Sequence, residues 1–142
     1  MSIRSVDAVE RSVHKTNEWL SELCAELRTE DREEAWRVTR AYLQTVRDRL
    51  AVDEAAELAA QLTYVLRGVF YDGFDPSRQP VKLRHRGEFL NRFAERAQLG
   101  DPEAAPHAVR AATRVLARHV TAGELDDVLS ELSSEIREVV QP

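Results

Sequence analysis

Residues 12–70 match residues 82–140 without a gap, at a constant offset of 70. Identical pairs are Glu18/Glu88, Leu20/Leu90, Asp31/Asp101, Glu33/Glu103, Ala35/Ala105, Arg40/Arg110, Ala41/Ala111, Glu54/Glu124, Leu62/Leu132, Arg67/Arg137 and Val69/Val139. A chain of this composition gives roughly 5 such identities by chance. Apolar exchanges follow the same register at Trp19/Phe89, Leu23/Phe93, Val46/Leu116, Leu50/Val120 and Leu66/Ile136, with Val65/Glu135 an exception. A lone unit of this size has a marginal core, whereas two units packed together can share one. The expectation is a single domain over residues 1–142, with a pseudo-repeat over about 12–70, a linker over 71–81 and a second pseudo-repeat over about 82–140.

Each copy has the period of helix. The first run, over residues 5–27, carries Val13, Asn17, Leu20, Cys24 and Leu27 at steps of three and four, widened by Trp19 and Leu23. Asp31 with Glu34 has the form of a capping box opening a second helix, which buries Trp36, Thr39, Leu43, Val46 and Leu50. A third helix carries Ala55, Leu58, Leu62, Val65, Leu66 and Val69. After the linker the cycle returns, with a helix over residues 83–97 bearing Phe89, Leu90 and Phe93. Gly100, Asp101 and Pro102 suit a left-handed C-cap, an N-cap and a first helical position, and Pro106 delays the proper start of the fifth helix. Thr121 with Glu124 forms a second capping box before a final helix carrying Leu125, Val128, Leu132, Ile136 and Val139. The spacing therefore predicts an all-α fold of about six helices, two tandem three-helix repeats in one bundle-like domain.

Composition agrees and narrows the function. Apolar residues make up 43% and charged residues 32%, and five glycines and five prolines are too few for an all-β chain. A formal net charge of −5 gives no general attraction to nucleic acid or anionic lipid, so nucleic acid is disfavoured as a partner. No apolar run approaches the about 20 residues a membrane span needs. Residues 1–13 carry charge throughout, so no secretory leader is expected, and the single Cys24 fits a reducing compartment. The expected location is the cytoplasm.

The central segment Arg67-Gly68-Val69-Phe70-Tyr71-Asp72-Gly73-Phe74-Asp75-Pro76 joins the copies. Its aromatics Phe70, Tyr71 and Phe74 are placed to wedge between them, with Gly68 and Gly73 permitting a tight turn. With Ala59-Ala60-Gln61-Leu62 before it and the run from Arg84 to Ala97, including Glu88-Phe89-Leu90, after it, this segment resembles the bacterial domain-of-unknown-function family twenty-two sixty-seven. In that family a helix ending in Ala-Gln-Leu precedes an Arg-Gly-aromatic-aromatic-acidic-Gly-aromatic segment. Thr63 stands where the resemblance leads one to expect Pro. The resemblance covers most of the chain and implies an all-helical bacterial protein with no particular activity.

Chemistry finds little support in the residues. His14, His85, His107 and His119 form no i, i+4 pair and Cys24 has no thiolate neighbour, so they read as exposed helix histidines with no metal site. Asp72 and Asp75 flank Gly73 but lack the alternating ligands and closing Glu of a calcium loop, and turn bonds or pairing with Arg67 or Arg78 account for them. No nucleophile elbow or phosphate-cradling Gly-rich loop is present, so no catalytic or cofactor-binding residue is assigned. Arg78, Lys82, Arg84, Arg86, Arg92 and Arg96 make a basic strip, and the segment from Thr121 is acidic. The two complement one another within the molecule or across a dimer, or are solvated faces.

The leading expectation is a non-enzymatic interaction or scaffold module, with a groove near Phe70, Tyr71 and Phe74 taking a partner helix or a second copy of the chain. Alanine at Tyr71 and Phe74 then abolishes binding and leaves helicity intact. The alternative is a small nucleic-acid-binding regulator using the basic strip over residues 78–96, with Arg78, Arg84 and Arg86 as contacts.

Overall fold

The computed structural model describes residues 4–142. Residues 1–3, part of the stretch read for a secretory leader, lie outside the described residues. Among the described residues eight α-helices follow one another: α1 (Asp7–Leu27), α2 (Arg32–Asp48), α3 (Val52–Ala60), α4 (Tyr64–Tyr71), α5 (Arg86–Ala97), α6 (Ala105–His119), α7 (Ala122–Glu131) and α8 (Ser134–Val140). Single 3-10 turns at Pro76–Arg78 and Pro102–Ala104 precede α5 and α6. The described residues contain no strand, and none of their helices is long and apolar enough to cross a membrane.

The expected all-α class holds, but the helix count does not. The single third helix is two, α3 and α4, and the single last helix is α7 and α8. The break has the same local cause each time. Thr63 Oγ1 accepts from the backbone N–H of Leu66 at 3.1 Å, and Ser133 Oγ accepts from that of Ile136 at 3.3 Å, so each hydroxyl starts a new helix. One turn later an arginine reaches back to carbonyls at the end of the broken helix. Arg67 donates to the carbonyls of Ala59, Ala60 and Leu62, and Arg137 to those of Leu129 and Leu132. An apolar stripe survives such a break almost in phase, which is why periodicity alone runs the helices together. Thr63→Ala is expected to lower stability by about 1–2 kcal/mol, read from the urea midpoint.

Other expected ends shift by up to three residues. The left-handed residue closing α5 is Gln98 (φ 53), not Gly100, and Arg28 (φ 57) closes α1 the same way. Asp101 accepts from the Glu103 N–H and caps the 3-10 turn ahead of α6, which begins at Ala105 rather than Pro106. The predicted fourth helix starts at Arg86 rather than residue 83, with Leu83 buried in the connection before it. The Asp31 box is half made. Asp31 caps the N–H groups of Glu33 and Glu34, while the Glu34 carboxylate accepts from the Thr29 hydroxyl at 3.2 Å. On α1 the core face is Ser12, Thr16, Trp19, Leu20 and Leu23, one residue out of phase with the expected stripe, and Val13 is left 45% exposed.

α2 is the helix about which the rest is arranged. It packs against α1, α4, α5 and α6 and is buried along almost all of its last three turns. The core joins both halves of the chain, with Trp19, Tyr42, Phe70, Phe89, Phe93, Leu116 and Ile136 among its fully buried side chains. Two pairs of its polar side chains bond to one another, as buried groups ordinarily do. Trp19 Nε1 donates to Thr39 Oγ1 at 3.1 Å, and the Tyr42 and Thr113 hydroxyls bond at 3.0 Å. Burial raises the Tyr42 phenol far above its ordinary value. His119 is not an exposed helix histidine: its ring stacks on Trp19 at 5.0 Å and its Nε2 meets Glu22.

Candidate functional site: a basic cleft over the end of the second helix

The last carbonyls of α2 need donors, and the chain between α4 and α5 supplies them. Val81 N–H donates to the Asp48 carbonyl at 2.6 Å. The Gln79 carboxamide, with its nitrogen turned inward, sets its two N–H donors among the carbonyls of Arg47 (3.1 Å), Leu50 (3.1 Å) and Asp48 (3.3 Å). Arg49 returns the contact by donating to the Val81 carbonyl. Burial, with Arg84 nearby, pulls the Arg49 guanidinium below its ordinary value. The connection is thus a strap laid across the end of a buried helix.

Beneath the strap lie two charged side chains that the sequence does not single out, Arg47 and Asp48, each 3% exposed. Arg47 donates through Nε and Nη2 to Asp48 Oδ1 at 3.2 and 2.9 Å. Its Nη1 donates to the carbonyls of Phe70 and Asp72, both at 2.8 Å, and its guanidinium stands 5.8 Å above the Phe74 ring. The other oxygen of Asp48 faces α5, where Arg96 Nη2 lies at 2.8 Å and Arg92 Nη1 at 3.9 Å. Arg96 also donates to Thr45 Oγ1 at 3.1 Å. One carboxylate therefore gathers three guanidiniums, and it sits at a helix C-terminus where the dipole disfavours it and favours them.

The surrounding cleft has a volume of about 510 Å³ and is lined by Arg47, Arg78, Lys82, Arg92 and Arg96 against only Asp48 and Asp75. Asp75 is held below the ordinary carboxylate range by the Ser77 hydroxyl and N–H, with Arg78 a smaller influence. Among the described residues, Arg92, 40% exposed, pairs only through its long contact to Asp48, and Arg78, 81% exposed, only with Asp75 at 3.5 Å. What the lining offers is positive charge held on a fixed frame, with no histidine and no cysteine.

The predicted contact residues separate. Phe70 is fully buried, so it is a core side chain and cannot line a groove. Tyr71 and Phe74 are partly buried against the core and form an edge-on series, Phe70–Tyr71 at 5.2 Å and Tyr71–Phe74 at 5.4 Å. Arg78 lines the cleft. Arg84 and Arg86 are exposed but stand away from it, beside the acidic C-terminal helices: Ser133 Oγ donates to the Arg84 carbonyl at 2.8 Å, and the Arg86 N–H donates to Glu135 at 3.1 Å. The basic strip and the acidic segment thus meet within the chain at Glu135, where His85 also lies at 3.5 Å, while Arg78, Lys82 and Arg92 face the cleft instead. The residues missed are Arg47 and Asp48. The only hint of them is that three charged residues, Arg47, Asp48 and Arg49, stand together between Val46 and Leu50.

Residues 16–139 match the family model described as an uncharacterized conserved protein, DUF2267. No curated protein matches the chain.

Proposed function

The chain belongs to the DUF2267 family of uncharacterized conserved proteins, and we propose that it is a non-enzymatic interaction module of the bacterial cytoplasm whose basic cleft takes an acidic segment of a partner protein. The observation that carries this reading is the concentration of charge. A chain of net charge −5 collects five cationic side chains against two carboxylates in one cleft, and fixes the frame with buried hydrogen bonds. Fixed charges of one sign in a cleft raise the local concentration of the opposite charge and favour encounter with it.

The same reading takes the two halves as tandem copies, now of four helices each. The offset of 70 supports it in local detail: Thr63 and Ser133 cap, Arg67 and Arg137 reach back, Asp31 and Asp101 cap, and Ala51 and Thr121 precede α3 and α7. The strap between the copies is the part without a counterpart, and it builds the cleft.

The test is binding of a fluorescent oligoglutamate peptide, followed by anisotropy over a salt series. Charge reversal of Arg78, Lys82 and Arg92 is expected to weaken binding by about tenfold or more with far-UV ellipticity unchanged, because each exposed charge is worth about 0.2–1 kcal/mol. Binding of the wild-type chain is expected to weaken as salt rises. Tighter binding to duplex DNA that depends on Arg84 and Arg86 would replace this reading with the nucleic-acid regulator. A peptide affinity indifferent to the triple reversal would end it.

A further inference from the structure

We propose that α3 and α7 hold a hard divalent cation between Glu54, Glu57, Glu124 and Asp127. The two helices run antiparallel, since the start of each is capped by the end of the other. The N–H of Ala51 donates to Glu131 Oε2 at 2.9 Å, and that of Thr121 donates to Gln61 Oε1 at 2.8 Å. This exchange undoes the capping box expected at Thr121 and Glu124. The Thr121 hydroxyl still accepts from the Glu124 N–H, but the N–H that the Glu124 carboxylate was to take is already occupied. Glu124 is released toward the facing helix, where Glu54 stands at the corresponding position.

Each helix adds a second acid three residues on, Glu57 and Asp127, and one carboxylate oxygen from each of the four residues lies within 4.8 Å of the others. Oxygens bind calcium at about 2.3–2.6 Å, so ligands on opposite sides of the ion stand about 4.6–5.2 Å apart. The quartet fits within one such shell.

A second observation points the same way. Glu54 and Glu124 are only 7% and 5% exposed, and Glu54 Oε1 and Glu124 Oε2 are buried with no hydrogen-bond partner among the described residues. None of the four acids takes part in an ion pair among those residues. Buried carboxylates are ordinarily paired or bound to metal. A donor set of carboxylates without histidine or cysteine suits calcium, manganese or magnesium rather than zinc or copper.

The experiment is calorimetric titration of the chelator-treated chain with calcium, manganese and magnesium chlorides in turn, with thermal melts in parallel. Saturable binding of calcium or manganese and a rise in melting temperature are expected. Binding should be lost in E54Q/E124Q and weakened at least about tenfold in E57Q/D127N, whose residues are exposed, so this second variant decides the matter if the first does not fold. The proposal is overturned if none of the three ions binds saturably up to about 10 mM, beyond the weakest protein calcium sites, or if both variants bind as the wild type does.

Discussion

Asp48→Ala is expected to cost about 3–5 kcal/mol of folding stability, the range for removing one partner of a buried ion pair. The magnitude follows from what remains. Arg96 and Arg92, 22% and 40% exposed at the side chain, can turn toward water, but Arg47 is 4% exposed at its side chain and held by the Phe70 and Asp72 carbonyls. An uncompensated guanidinium then stays under the strap, and the strap itself is stitched to α2 at that residue. The change should appear as a lowered urea midpoint and a fall in melting temperature of roughly 2–4 °C for each kcal/mol. The double change Arg47→Met with Asp48→Leu separates charge from packing. It removes both buried ions, so its cost should be well below the sum of the single changes, because the dominant penalty in each single variant is the orphaned partner. A loss below about 1 kcal/mol for Asp48→Ala would mean that water enters beneath the strap and takes over the bonds of the carboxylate.

This arrangement ties the cleft to the fold. The guanidinium that fixes the two carbonyls at the end of α4 also fixes the carboxylate that positions Arg96 on α5. A ligand meeting Arg92 and Arg96 therefore meets groups tied through Asp48 to the most buried helix. Preorganised charge loses less conformational entropy on binding, which is how a small cleft achieves useful affinity.

How much of this was legible depends on the range of the signal. Helical class, the place of most helix starts and the core positions of Leu43, Val46, Leu58, Phe89, Phe93 and Leu116 follow from periodicity and capping, which are local. The breaks at Thr63 and Ser133 were present in the sequence as capping hydroxyls, each followed four residues later by an arginine, but an unbroken apolar stripe outweighed them. The face of α1 was misread because Ser12 and Thr16 are small polar residues that bury by bonding to their neighbours: Thr16 Oγ1 donates to the Ser12 carbonyl at 2.7 Å and meets Thr63 Oγ1 at 2.8 Å. The Arg47–Asp48 centre and the cross-capped acids were out of reach, since each depends on residues more than twenty positions apart whose charge alone suggests a solvated surface.

Phe70→Ala is expected to cost about 3–5 kcal/mol, as for a buried aromatic side chain truncated within a packed core. Phe70 is fully buried, belongs to the main core cluster and meets Tyr71 edge-on at 5.2 Å. Phe74→Ala should cost markedly less, about 1–2 kcal/mol, because its ring is only partly buried and its main polar contact is the Arg47 guanidinium at 5.8 Å. The ratio matters more than either figure. If both residues formed one exposed groove, their truncations would leave stability nearly unchanged and alter binding alone. With Phe70 in the core, its loss opens a cavity directly behind the carbonyl that Arg47 holds, so the strap and the cleft loosen together. Urea denaturation of both variants, followed by the oligoglutamate assay at a temperature where each is folded, separates the two contributions. Weakened peptide binding in folded Phe70→Ala, greater than in Phe74→Ala, is the result expected of a cleft whose charges are positioned from beneath. Equal and small losses in both would place the origin of the cleft's geometry in the strap alone.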